Sequence, residues 1–303
     1  MPTETRPNLF IVGAQKSGTS ALAGWLGQHP EACMSFPKEP GFLAFGESGY
    51  SFPDGYGRPA PASQYVVRDE RAYLELFAHA TPDQHIRGEA STWYFALPGM
   101  ARKIKAYNPD AKIIVILRNP VERAYSAWCH ARGDSLEPCE NFSAALALEA
   151  QRGEVEFLLR YQRMGLYSEA LADYQSVFSP SQLLVLFYDD VRADPLSVWR
   201  TVCAFLGIEA AHTPAFDNRY NRSGQPRSRL VHSLLRSHRV KRLVRAVLPH
   251  SLAMRAKQQV EDLNLEQFPA MDSTCRAALS EYYRPDIQRL SGLTNRDLVD
   301  WLQ

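Results

Sequence analysis

Cysteine is scarce and unpatterned in this 303-residue chain. The five cysteines, at 33, 129, 139, 203 and 275, form no C-x-x-C pair and no Cys/His ligand spacing, so no zinc site or redox dithiol is signalled and no metal is expected. An odd, scattered set suits a reducing compartment better than a disulfide framework. No apolar run approaches the length of a membrane span, and Met1 to Arg6 lacks a basic-then-apolar leader. These absences read as a cytoplasmic protein without a transmembrane segment. A net charge of +1 supplies no overall field for nucleic acid. Internal repeats and low-complexity linkers are missing too, and the length suits a single domain over 1–303.

What is present is an alternation of strand-like and helix-like runs. Leu9–Val12, Lys112–Leu117 and Leu183–Phe187 are largely continuous apolar runs, as expected of strands buried on both faces. Helical patterns come after each of them, over 20–27, 121–131 and 195–206, with Pro195 and Gly207 as start and stop signals. The expected fold is α/β, a central parallel sheet flanked by helices.

The first of these units is the most informative. Leu9–Val12 leads into Gly13-Ala-Gln-Lys16-Ser17-Gly18-Thr19-Ser20, and a helical pattern opens immediately afterwards. Strand, glycine loop and helix N-terminus together aim backbone N–H groups and a helix dipole at an anion. Gly13, Gly18 and Ser20 keep the register of the nucleotide loop G-x-x-x-x-G-K-[ST]. Thr19 stands where its lysine belongs, and Lys16 has moved to the middle. The loop keeps its grip on phosphate, but its cation is displaced.

The second unit departs in a complementary way. An ATPase or GTPase strand at Lys112–Leu117 would end near an Asp that organises magnesium. Here it ends in Arg118, followed by Asn119-Pro120 and a helix carrying Ser126. A guanidinium at the carboxyl end of a parallel strand faces the ligand crevice and matches phosphate bidentately. Two anion sites and no metal carboxylate fit a nucleotide with phosphates at separate positions better than a magnesium triphosphate.

Gly13 to Ser20, with Ile116-Leu-Arg118-Asn-Pro120, Arg123-Ala-Tyr-Ser126 and Leu186-Phe-Tyr188-Asp-Asp190, resembles the sulfotransferases that use 3′-phosphoadenosine 5′-phosphosulfate (PAPS). Tyr282-Tyr-Arg-Pro-Asp286 and Arg296 to Trp301 are similar to the ending of many bacterial members. The resemblance implies a phosphate-loop sulfotransferase architecture and PAPS as co-substrate, with adenosine 3′,5′-bisphosphate (PAP) as product and no metal required. It implies that Lys16, Ser17, Gly18, Thr19 and Ser20 hold the 5′-phosphosulfate, with Lys16 neutralising the departing oxygen. Arg118 and Ser126 would hold the 3′-phosphate, with Tyr188 near the nucleotide. Lys38-Glu39-Pro40 resembles the segment that supplies a catalytic glutamate in glycan-type members, which makes Glu39 the expected base. Glu89 and His130 stand as alternatives. A small-molecule or glycan acceptor, reacting through a hydroxyl, is the expected partner.

Two further segments carry expectations. Residues 46–63 are crowded with glycine, proline, serine and aromatics, as in a substrate loop or lid. Residues 219–257 hold 11 Arg and Lys and no Asp or Glu; by the resemblance, Arg227, with Arg222 or Arg229, lies at the nucleotide. An amphipathic basic helix over 229–247 is expected beyond it. A phosphate-loop kinase and a non-catalytic nucleotide-binding protein remain the competing classes. The first needs Lys at 19 and a magnesium carboxylate; the second needs neither Lys16 nor Glu39.

Overall fold

In the computed structural model, β1 (Leu9–Gly13), β2 (Ala32–Met34), β3 (Ile86–Ala90), β4 (Lys112–Leu117) and β5 (Leu183–Phe187) form one parallel sheet in the order β2-β3-β1-β4-β5. The structure describes residues 6–216 and 268–303, plus the backbone of two short antiparallel strands, β6 (Gln225–Pro226) and β7 (Leu265–Glu266). Arg222, Arg227, Arg229 and the basic helix expected over 229–247 lie outside the described residues.

Helices connect the strands: α1 (Thr19–Leu26), α2 (Phe42–Phe45), α3 (Glu70–Glu75), α4 (Trp93–Ala96), α5 (Met100–Tyr107), α6 (Pro120–Gly133), α7 (Phe142–Glu149), α8 (Ser168–Val177), α9 (Tyr188–Ala193), α10 (Pro195–Leu206) and α11 (Ser273–Thr294). Strand residues alternate between two cores, which is why β1 and β4 are apolar throughout. Phe10, Val12, Ile113 and Val115 pack with Trp128, Tyr174 and Tyr283 on one face. Leu9, Ile11, Ile114 and Ile116 pack with Leu22, Trp25 and Trp199 on the other.

The order places β1 between β3, reached first by the chain, and β4, reached later. The crevice beyond the carboxyl ends of β1 and β4 is thus a topological switch point, where α/β sheets bind ligands. Local sequence sets where the helices after these strands begin and end. Asn119 caps α6 by accepting from Val121 N at 2.9 Å, and Pro120 occupies its first turn. Asp194 caps α10 in the same manner, and Gly207 ends it in the left-handed conformation. Among the described residues no helix is long and apolar enough to cross a membrane.

Candidate functional site

The loop between β1 and α1 is held by short-range backbone bonds. Ala14 N donates to Ile116 O at 2.8 Å, tying the loop to β4, and Ser17 N donates to Ala14 O at 3.2 Å. Lys16 takes a positive φ of 66°, and Gly18 one of 96°. Among the described residues no side chain caps α1, an arrangement that leaves its first-turn amides able to face an anion. Lys16, Gly18 and Ser20 are half-buried, whereas Ser17 and Thr19 are buried beneath the loop.

Arg118 and Tyr188 close on this loop from the ends of β4 and β5. Arg118 Nη1 donates to Lys16 O at 3.0 Å, and its guanidinium carbon lies 4.7 Å from the centre of the Tyr188 ring. The ring also covers Gly18, where an added Cβ would sit 3.2 Å from Tyr188 Cδ2. Two carboxylates of the α6 segment have other partners. Glu122 pairs with Arg276 at 2.5 Å, and Asp134 lies 3.7 Å from His130. Ser126 is half-buried in the second turn of α6, which starts two residues after Arg118.

Glu39 stands beside the end of β3. Its amide donates to Ala90 O at 3.0 Å, Thr92 N donates to Glu39 Oε2 at 2.8 Å, and Thr92 Oγ1 donates to Oε1 at 3.1 Å. Lys38 Nζ adds an ion pair to Oε1 at 2.6 Å. Glu39 also takes a positive φ, 62°. Non-glycine residues rarely adopt that region, and such strain gathers where a side chain must be aimed.

The electrostatics link these pieces. Burial pushes the Lys16 ammonium down to about 8, and the nearby positive charges of Arg118 and Lys38 push the same way, against the opposing pull of Asp134. Three cations therefore crowd one crevice and lower the charge of one of them, which is an arrangement that an anion relieves. Glu89 differs from Glu39. It is fully buried, accepts from Ser91 Oγ at 2.6 Å, Tyr94 OH at 3.0 Å and Tyr73 OH, and burial pushes it up to about 7. A carboxylate so enclosed is out of reach of an acceptor in the crevice. His130 sits in the last turn of α6 with Asp134, as a helix-end pair.

The 46–63 loop is anchored rather than loose. Asp54 accepts from the amides of Tyr56 and Arg58, both at 2.9 Å, and Gly55 N donates to Leu136 O at 2.8 Å. Tyr50 OH donates to Glu156, and Tyr50 packs with Phe45, Trp93 and Phe157. Sequence reasoning did not find Thr92, Ser91 and Tyr94, which mount the Glu39 segment. Their only signal was position, directly after a strand whose polar Arg87-Gly88-Glu89 centre hid it.

Residues 7–212 match the sulfotransferase family. A crystal structure of a sulfotransferase from Alicyclobacillus acidocaldarius superposes with a TM-score of 0.75 and 31% identity, over 98% of this chain and 99% of that one. The bifunctional heparan sulfate N-deacetylase/N-sulfotransferase 1 of Xenopus laevis is 28% identical over 98% of this chain and 31% of its own length. Human heparan sulfate glucosamine 3-O-sulfotransferase 6 is 30% identical over 68% of this chain and 54% of its own. The chain thus spans about a third of the bifunctional relatives' length. With its family match, its parallel sheet and the crevice between the Lys16 loop and Arg118, this chain belongs to the sulfotransferase family.

Proposed function

We propose that the chain transfers a sulfuryl group from PAPS to a hydroxyl on a carbohydrate or a hydroxylated natural product, in the cytoplasm and as a single catalytic unit. The observation that carries this reading is the meeting of Lys16, Arg118, Tyr188 and the Lys38–Glu39 pair around one crevice at the carboxyl ends of the strands. Relatives whose names specify heparan sulfate favour a glycan among the possible acceptors.

Each residue then has a chemical task. The amides at the start of α1, with the hydroxyls of Thr19 and Ser20, bind the 5′-phosphosulfate; Ser17 and Gly18 shape the turn that brings them there. Arg118 and Ser126 bind the 3′-phosphate, and Arg227 joins them from the later segment. Tyr188 packs beside the nucleotide. Glu39 takes the acceptor hydroxyl proton as the acceptor oxygen forms its bond to sulfur. The bond from sulfur to the 5′-phosphate oxygen breaks, its electron pair stays on that oxygen, and Lys16 stabilises the charge. The in-line displacement needs alignment and charge compensation above all.

Calorimetry with PAP and ATP in the presence of a chelator tests the donor site. Metal-free binding of PAP that weakens when the 3′-phosphate is removed supports the reading. Preference for ATP, or binding of neither, overturns it.

A further inference from the structure

Glu89 is a fully buried carboxylate that the transfer chemistry does not use, yet it touches the support of Glu39 on two sides. Ser91 has a single hydroxyl proton and gives it to Glu89 Oε2 at 2.6 Å, so its oxygen is free to accept Gly41 N at 3.2 Å. Tyr94 gives its proton to Glu89 Oε1 at 3.0 Å, and its oxygen accepts Leu43 N at 3.1 Å. Tyr73 OH supplies a third donor from α3. The two relays hold the segment that directly follows the candidate base, where Glu39 takes a positive φ of 62° and Gly41 one of 60°. Gly41 is packed so closely that a Cβ there would lie 2.8 Å from Trp93 Cζ3.

We propose that Glu89 is a positioning residue for sulfuryl transfer: by accepting the Ser91 and Tyr94 protons, it turns both hydroxyl oxygens toward the backbone of the Glu39 loop. The inference rests on the reading of Glu39 as the base. A buried acceptor with three hydroxyl donors fixes the direction of every proton in the network, which an amide in its place cannot do. Burial opposes the charge of Glu89, and the three donors work against that. The same short segment supplies Ala90 O to Glu39 N and both Thr92 contacts to the Glu39 carboxylate. One end of β3 therefore mounts the base, and Glu89 is the anchor of that mount.

The test uses Ser91→Ala, Tyr94→Phe, Glu89→Gln, Glu39→Gln and the Glu89→Gln/Glu39→Gln pair. Turnover is measured with PAPS and a de-O-sulfated heparan sulfate oligosaccharide, PAP affinity by calorimetry, and mobility by hydrogen exchange of the peptide 39–45. Ser91→Ala and Tyr94→Phe each remove one hydroxyl and keep the packing, so they guard against a Glu89 variant that fails to fold. Each is expected to lower kcat by about 3- to 10-fold, and Glu89→Gln by about 10- to 100-fold, with PAP affinity within about twofold of wild type. Exchange of 39–45 should accelerate in all three, and the double variant should turn over no more slowly than Glu39→Gln alone.

Unchanged exchange and unchanged kcat in these variants overturn the inference. So does a Glu89→Gln variant whose PAP affinity falls in step with kcat, or whose loss multiplies that of Glu39→Gln; either marks a merely structural role. Should Glu39→Gln turn over like wild type, or the oligosaccharide accept nothing, the base or acceptor reading fails instead. Exchange of 39–45 then still decides whether Glu89 holds the loop.

Discussion

The Arg118 guanidinium lies 4.7 Å from the centre of the Tyr188 ring and donates to the Lys16 carbonyl at 3.0 Å. One side chain thereby joins the ends of β4 and β5 to the middle of the phosphate loop. A cation resting on an aromatic face keeps its remaining N–H groups in a fixed plane, which suits two-point recognition of a phosphate.

Arg118→Ala should therefore act on nucleotide binding before it acts on chemistry. Loss of a charge-assisted contact of about 2–3 kcal/mol corresponds to PAP binding weakened roughly 30- to 150-fold. Most of the loss should fall on the 3′-phosphate, so that the preference for PAP over adenosine 5′-monophosphate shrinks by calorimetry. An equal loss for both nucleotides would place Arg118 elsewhere in the site.

Lys16 gives a pH-dependent signature. Its ammonium is held near 8 in the free protein, and a bound anion favours the charged form, so binding must recharge the fraction that is neutral. PAP binding near pH 8 and above should take up protons, and below about pH 7 this uptake should vanish because Lys16 is already charged. Calorimetry in two buffers of different ionisation heat measures it directly. Lys16→Ala should abolish the uptake and reduce turnover far more than affinity; an uptake that survives the substitution assigns it to another group.

How much of this was legible in the sequence varies with the physics of each residue. β1, β4 and β5 announce themselves because burial on both faces demands unbroken apolar runs, and Asn119-Pro120 and Asp194-Pro195 mark the helix starts. β3 does not, because its centre holds Arg87, Gly88 and Glu89. Gly88 is there for close packing: an added Cβ would lie 2.5 Å from Met34 Sδ. The three-residue edge strand β2 is too short to show a period. Lys16, Arg118 and Glu39 could be named from motifs, but the partners that aim Glu39 come from residues some fifty positions away. Only the fold brings Thr92, Ser91 and Tyr94 to them.

Glu39→Gln removes the charge while the amide oxygen can still accept one of the Thr92 bonds. Loss of a positioned general base lowers turnover by about 10²- to 10⁴-fold. PAP affinity should stay within about twofold, because the proposed nucleotide contacts come from the Lys16 loop, Arg118 and Ser126 and none from Glu39. A variant with full turnover would hand proton removal to another group.

Trp301 ties the chain's last turn to both strand ends that frame the nucleotide crevice. Its Nε1 donates to Asp189 Oδ2 at 3.0 Å, its ring meets Phe187 edge-on at 6.0 Å, and its carbonyl accepts from Asn119 Nδ2 at 3.2 Å. Asp189 follows Tyr188, and Asn119 follows Arg118, so the indole braces the neighbour of the first and the Trp301 carbonyl the neighbour of the second. Nearby, Arg296 pairs with Asp190 and lies over Phe187 at 4.0 Å. Truncating a buried tryptophan to alanine costs about 3–5 kcal/mol, and here the loss should also release the Arg118–Tyr188 pair. Trp301→Ala should lower the unfolding midpoint and weaken PAP binding together, whereas Leu290→Ala, a fully buried position in the same core, should lower the midpoint alone. Trp301→Phe, which keeps a ring but loses the Asp189 bond, should fall between wild type and Trp301→Ala in both readouts. If Trp301→Ala and Leu290→Ala prove equally unstable and equally competent to bind PAP, the C-terminal turn is packing only, and Arg118 is held by its own strand and the Tyr188 ring.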